Sequence, residues 1–172
     1  MRTSITVMLI LIFHLAQAQD DAISKFFDKY KDNDQFTTVY ITSKMFSLIA
    51  QIPENENEDD FMNIIRRLTG VRILSSDSLP GGYSIYQQAR DILTKNGFED
   101  LMVVRDGSEE IKFMVQEKGE IISDFVMLIG GNHQFTLISL TGDLRLKDIS
   151  KLSKTMDIKG FDKLDKIDDK QH

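Results

Sequence analysis

The sequence predicts an α+β domain, a two-layer sandwich in which helices pack on one face of a mostly antiparallel sheet. Helical and strand-like patterns mix in the first half of the chain, whereas residues 101–141 contain four strand-like runs in succession. The separators between these runs are short and contain glycine, which is typical of β-hairpins. A doubly wound parallel sheet would require strict alternation of strands and helices, so it is not favoured.

The first elements follow from local residue patterns. Apolar residues recur at helical spacing from Ala22 and stop before Asp32–Asp34, which predicts an amphipathic helix. Residues 36–42 mix β-branched and aromatic side chains, as strands do. Ser43 can cap a second helix, and Pro53 ends it because proline cannot donate the next backbone hydrogen bond.

A third helix is predicted after the acidic run Glu54–Asp60. The acids at its start and Arg66-Arg67 near its end both suit the helix dipole. Gly70 is expected to close this helix, and Val71–Ser75 is then the second strand. Residues 84–87 match a capping box, so they are expected to begin a fourth helix.

The fourth helix is expected to end at Asn96-Gly97, after which the hydrophobic period changes from helical to alternating. The four strands predicted next are Leu101–Arg105, Glu110–Gln116, Glu120–Ile129 and Gln134–Thr141. The helical period returns at Ile149, and a last short helix carries Phe161.

Residues 1–18 have the three parts of a secretory signal peptide. Arg2 gives a positive start, an apolar run of 11 residues follows at 5–15, and Ala16-Gln17-Ala18 has the small residues of a cleavage site. The run is short of the roughly 20 residues that cross a bilayer, and a buried N-terminal helix is the alternative interpretation. We expect cleavage after Ala18 and a single α+β domain at 19–172, exported to the periplasm or secreted.

Composition narrows the function classes. The chain has 21 Lys plus Arg against 27 Asp plus Glu, a net charge of −6, which disfavours nucleic acid as a partner. Arg66-Arg67 with Arg72 forms its one basic cluster, and acids interrupt it. The chain has no Cys, which excludes a disulfide framework, a thiol nucleophile, a thiolate metal site and an N-terminal lipid anchor. No later stretch is long and apolar enough to span a membrane.

No catalytic residue is predicted. Beyond the signal segment, His133 and the terminal His172 are the histidines, and His133 lies in the Gly130–His133 turn. Glycine and asparagine tolerate positive φ, so a structural turn explains this segment better than catalysis. A Gly-x-Ser-x-Gly elbow is missing. Paired carboxylates remain an open alternative, because an acidic chain offers many.

No cofactor or metal ligand is predicted either. Glu54–Asp60 could attract calcium but lacks the frame that curls a chain around the ion, and Asp32–Asp34 begins such a frame without the required glycine. Gly81-Gly82 and Gly130-Gly131 match neither phosphate-binding glycine motif. The tail 157–172 alternates Asp with Lys and is expected to be a solvated helix face.

The C-terminal half resembles a known family. Residues 124–131, 135–144 and 148–152 form a strand, a hairpin, a second strand ending in Gly142-Asp143-Leu144, and a helix. This pattern is similar to small exported Bacteroidota proteins catalogued as domain of unknown function 4252, and the similarity extends over nearly all of 22–167. The resemblance implies an α+β fold and a cell-envelope location. It carries no activity and no site residue.

Two functions from different classes follow. A well-patterned core without catalytic residue types favours a non-catalytic cell-envelope binding or regulatory module, with an envelope protein, a peptide or a small ligand as its partner. The alternative is a carboxylate-dependent hydrolase acting on an envelope substrate, which requires two acids that converge in a pocket. Calcium-dependent stabilisation is a third option.

Overall fold

The computed structural model describes residues 22–52 and 60–149 of the chain. The expected signal peptide, most of the acidic run 54–60 and the expected helices after Ile149 lie outside these ranges. The elements in chain order are α1 (Ala22–Tyr30), β1 (Thr37–Ile41), α2 (Ser43–Ile49), α3 (Asp60–Ile65), β2 (Leu68–Ser76), α4 (Gly82–Lys95), β3 (Glu99–Asp106), β4 (Glu109–Lys118), β5 (Ile121–Gly130) and β6 (Phe135–Leu144).

The six strands form one antiparallel sheet in the order β1-β2-β6-β5-β4-β3. Strands β3 to β6 are joined as successive hairpins, which confirms the predicted meander and the α+β class. Strand β2 pairs with β1 on one side and, on the other, with β6 rather than with the next strand β3; β1 forms the outer edge. In the described ranges, every helix is too short or too polar to cross a bilayer.

Strand β5 is apolar on both sides. Successive side chains of a strand point to opposite faces, so Val126 and Leu128 lie on one face and Phe125, Met127 and Ile129 lie on the other. All five side chains are buried, at 9% exposure or less. Both faces of the sheet therefore need cover. We call the face with Val126 and Leu128 the helical face, and the face with Met127 the open face.

The helical face is covered by α1 and α4. Phe26 and Phe27 of α1 pack with Tyr86 and Leu93 of α4 over the strand residues of this face, in one buried cluster. Full burial of each such side chain contributes about 1.5–3 kcal/mol to folding. This layer matches the predicted amphipathic patterns of both helices.

The open face has its own helical cover at one end. Phe46 of α2, Ile64 of α3 and Ile149 belong to the buried cluster that contains Phe113 and Phe125 of the open face. Helical residues thus lie on both faces, and the predicted two-layer sandwich with helices on one face is not confirmed. The physical reason is the apolar surface that β4 and β5 present on both sides.

Two arginines fix this end of the open face. The Arg66 guanidinium donates hydrogen bonds to the carbonyl of Ile49, the last residue of α2, at 3.2 Å, and to the carbonyls of Ala50 at 3.1 Å and Ile52 at 2.8 Å just after it. Such carbonyls have no partner within their own helix. Arg67 pairs with the buried Asp148 at 2.9 Å, which holds the segment after β6 against the start of β2.

Several predicted helix boundaries were wrong. Helix α2 has Thr42 rather than Ser43 at its N-cap and ends at Ile49, before Pro53. Helix α3 ends at Ile65, and Leu68 already belongs to β2, because Leu68 pairs with Gly142 of β6. Helix α4 begins at Gly82 rather than at the capping box. A Cβ atom at Gly82 would collide with the Gln134 carbonyl, so glycine permits this close approach of helix and loop.

The close packing of α4 on the sheet gives a prediction about stability. A Cβ atom at Gly130 would collide with Cβ and Cγ of Tyr86, so we expect Gly130→Ala to lower the free energy of unfolding by about 1–3 kcal/mol through overpacking. The free energy of unfolding is measured by urea titration, with circular dichroism as the readout.

The matched control is Gly70→Ala in β2, where the nearest atom to the added Cβ is Thr141 Cβ at 3.8 Å. We expect a change within about 0.5 kcal/mol there. Equal effects of the two substitutions would contradict the proposed role of the Gly130–Tyr86 contact.

Candidate binding groove

A cavity of about 290 Å³ lies on the open face, at the end away from α2 and α3. Its apolar floor consists of five side chains from four strands, which are Ile73, Ile111, Met127, Ile129 and Ile138. The cavity lies over residues of the buried cluster that also contains Phe46 and Ile64, and most of these floor residues are at most 9% exposed. We call this cavity the groove.

Strand register brings the floor together. Ile73 of β2 lies opposite Ile138 of β6, which in turn lies opposite Met127 of β5. The next row along the strands contains Ile129 opposite Ile111 of β4. Directly opposed residues of antiparallel strands share a face, so these side chains form one continuous apolar surface.

The rim of the groove is polar. Ser75 and Thr136 lie opposite each other, and their hydroxyl oxygens are 3.0 Å apart in a hydrogen bond. Beyond them, Asp77, Glu109 and Gln134 line both the groove and a second cavity of about 240 Å³, which extends to the loop at 131–133. A ligand on the floor would therefore meet two carboxyl groups at this end.

A buried polar network lies behind the groove, on the helical face. The Tyr86 hydroxyl donates a hydrogen bond to Glu110 Oε1 at 2.5 Å, and Arg105 Nε donates one to Glu110 Oε2 at 2.7 Å. Tyr86 is fully buried, whereas the Arg105 side chain is exposed. The network ties α4 to the β3–β4 hairpin, which carries one wall of the groove.

The network shifts the pKa values of its members in opposite directions. The hydrogen bond from Tyr86, assisted by Arg105, lowers the pKa of Glu110 below its ordinary value, although burial opposes this. Burial, and then the bond to Glu110, raises the pKa of Tyr86. A charged Glu110 and a protonated Tyr86 therefore stabilise each other at neutral pH. This is a structural cross-link, since neither group lines the groove.

The residues considered in the sequence have mainly structural positions. The backbone carbonyl of His133 accepts a hydrogen bond from Leu79 N at 2.6 Å, and its side chain lines the second cavity. Gly81 precedes α4 with a φ of 79°. Asp32–Asp34 lies in an exposed loop, where Asn33 Oδ1 accepts from Gln35 N.

The predicted basic cluster is dispersed. Arg66 and Arg67 make the contacts described above, whereas Arg72 donates to Ser24 Oγ at 2.8 Å and lies 5.0 Å from the ring centre of Tyr40. The three guanidinium groups thus bind separate parts of the fold. Among the described residues, no group of three or more His, Cys, Asp or Glu side chains is placed to hold a metal ion.

Sequence reasoning did not identify the groove residues. The predicted hairpins placed the strand of Ile111 beside the strands before and after it, but they did not place β2 next to β6. Asp77 and Glu109 are 32 positions apart in the chain and carry no local motif. The strand order, with β2 beside β6, is what brings them to one end of the sheet.

These observations define a small α+β protein whose candidate site is an open apolar groove with an acidic rim. A family model described as Domain of unknown function (DUF4252) matches residues 30–152, more than half of the chain. The chain belongs to this family, as the resemblance indicated. No curated protein and no solved structure matches it.

The polar network gives a prediction for acid stability. A lowered pKa of Glu110 adds stability above the ordinary value of 4.5, and this contribution disappears as the pH falls through the lowered value. Tyr86→Phe removes the hydrogen bond that is the largest cause of the lowered pKa of Glu110. We expect it to cost about 1–3 kcal/mol near neutral pH and progressively less as the pH falls below about 4.

Urea unfolding across this pH range measures the effect. The control is Tyr83→Phe, which removes a hydroxyl from the half-exposed ring stacked on Tyr86. The explanation fails if the difference between Tyr86→Phe and the natural chain is the same at every pH.

Proposed function

We propose that this chain is a non-catalytic binding module of the cell envelope and that the groove binds its ligand. The observation that supports the proposal is the cavity on the open face, which combines an apolar floor with a polar rim. A concave, mostly apolar surface with a few polar groups at its edge is the general form of a ligand site. Cover of this surface by a ligand would be favourable by about 25 cal/mol for each Å² removed from water.

The size of the groove favours a small apolar group. Sites for drug-sized ligands span roughly 300–1,000 Å³, and the groove is at the lower end of this range with about 290 Å³. One or two aliphatic side chains of a partner would fill such a volume. The expected partner is therefore an envelope protein or peptide rather than a large cofactor.

One observation favours the alternative, a carboxylate-dependent hydrolase. Asp77 and Glu109 line the same two cavities, so two acids do approach one surface. Hydrolysis would also require a protonated acid held against the substrate in a closed, positioned site. Asp77 is exposed and Glu109 is half-buried, which suits binding better than proton transfer.

Incubation with purified peptidoglycan separates the two functions. We expect no release of soluble fragments by the purified chain. Release that is abolished by Asp77→Asn or Glu109→Gln would replace the binding proposal with the hydrolase.

Export is supported by the pattern of residues 1–18. We expect the chain expressed in a bacterial host to be recovered from the periplasm or the medium with Gln19 as its first residue, because Ala16 and Ala18 are the small residues that signal peptidase requires. Intact-mass spectrometry measures the cleavage. An Ala18→Phe variant is the control, and full-length mass for the natural chain would contradict the proposal.

Binding in the groove can be tested with N-phenyl-1-naphthylamine, a neutral dye that fluoresces in apolar surroundings. We expect saturable binding to the natural chain. Thr136→Phe should weaken it about tenfold or more, because the added ring would occupy the space above the floor.

The matched control is Thr69→Phe, an exposed threonine at the opposite end of β2. Circular dichroism melting checks that both variants fold. Equal dye binding by the two variants would place the dye outside the groove and overturn the assignment.

A further inference from the structure

We propose that the occupant of the groove is a cationic, amphipathic polypeptide segment, with aliphatic side chains on the floor and a lysine or arginine at the acidic rim. The proposal rests on the binding function given above and names the class of partner. It follows from the way charges are distributed over the β3–β4 hairpin.

The hairpin places two like charges side by side on the open face. Asp106 of β3 lies directly opposite Glu109 of β4. Glu109 shares its face with Ile111 of the floor, two residues along the strand, so Asp106 shares that face too. Like charges at directly opposed positions are destabilising, and a cation bound beside them would relieve the repulsion.

The other face of the same hairpin has the opposite arrangement. The next pair along the ladder is Arg105 opposite Glu110, and these two side chains form an ion pair at 2.7 Å on the helical face. Arg105, the basic residue nearest the turn of the hairpin, thus points away from the groove. Of the acids nearest the turn, Glu110 is paired behind the sheet, whereas Asp106 and Glu109 lie in front of it.

Asp77 adds a third carboxyl group across the groove, where it lines the same cavities as Glu109. None of the described residues that line the groove is basic. No ion pair within residues 22–52 and 60–149 involves Asp77, Asp106 or Glu109. The rim therefore presents net negative charge that the described part of the chain does not neutralise.

The spacing of floor and rim fits a peptide. Glu109 lies two residues from Ile111, and two residues of a strand span about 7 Å. A lysine or arginine next to an aliphatic residue covers that distance with its long side chain. The floor would provide affinity through apolar contact, and the rim would select the charge of the partner.

Three dye-labelled, seven-residue peptides test this by fluorescence anisotropy at about 0.1 M salt. The probe alternates lysine with leucine, the charge control alternates glutamate with leucine, and the apolar control alternates lysine with serine. We expect saturable binding of the lysine–leucine peptide and at least tenfold weaker binding of both controls.

Substitutions of the rim acids test whether their carboxyl groups cause the preference for a positively charged peptide. The double variant Asp77→Asn, Glu109→Gln removes two rim charges with little change of shape, and it should weaken lysine–leucine binding about tenfold. Asp143→Asn, an exposed acid at the far end of β6, is the matched control and should leave binding unchanged. The double variant should bind the neutral dye as the natural chain does, because the floor is intact.

The outcomes separate this inference from the function beneath it. Normal dye binding with equal affinity for the lysine and glutamate peptides, or no effect of the double variant, would overturn the cationic partner and leave the binding module in place. Equal binding of the lysine–serine peptide would overturn the amphipathic requirement. Loss of both dye and peptide binding in the natural chain would overturn the binding function itself.

Discussion

Strand β5 buries large side chains on both of its faces, and the rest of the fold has to provide cover for both. Helices α1 and α4 enclose the helical face, where Val126 and Leu128 are fully buried. On the open face, Phe46 and Ile64 cover one end, and the apolar surface continues beyond them. The groove is a cavity over this surface at the end that carries the polar rim, and its floor side chains Met127, Ile129 and Ile138 are at most 9% exposed. A concave, mostly apolar cavity with a few polar groups is a common form of ligand site.

Strand β4 directs two neighbouring acids to different surroundings on its two faces. Glu109 and Glu110 are neighbours in β4, yet strand alternation directs them to opposite sides of the sheet. Glu110 is held by Tyr86 and Arg105 in the network that seats α4. Glu109 lies at the rim of the groove instead. A change of Glu109 therefore leaves the buried network of Glu110 intact, so the charge of the rim can vary without loss of that network.

Local patterns predicted much of the fold, but not its non-local pairings. The four strands of the meander follow from alternation and glycine turns, and α1 and α4 follow from their apolar spacing. The start of β2 at Leu68 depends on pairing with Gly142, far along the chain, which no local pattern shows. The groove depends in the same way on the register of Ile73 with Ile138. Likewise, the cover that α2 and α3 provide on the open face follows from tertiary packing, because their sequences show only that one side of each is apolar.

The chemistry of the rim bears on the choice between the proposed binding function and the alternative, a hydrolase. An acid that donates a proton at neutral pH needs an apolar, enclosed environment that disfavours its charge. Asp77 is exposed to water, and Glu109 is half-buried at the edge of an open surface. Exposed ion pairs add little affinity, but they steer and select a partner of opposite charge. The apolar floor can supply the affinity that the rim lacks. Floor and rim together thus suit reversible recognition of an amphipathic segment better than covalent chemistry on a polymer.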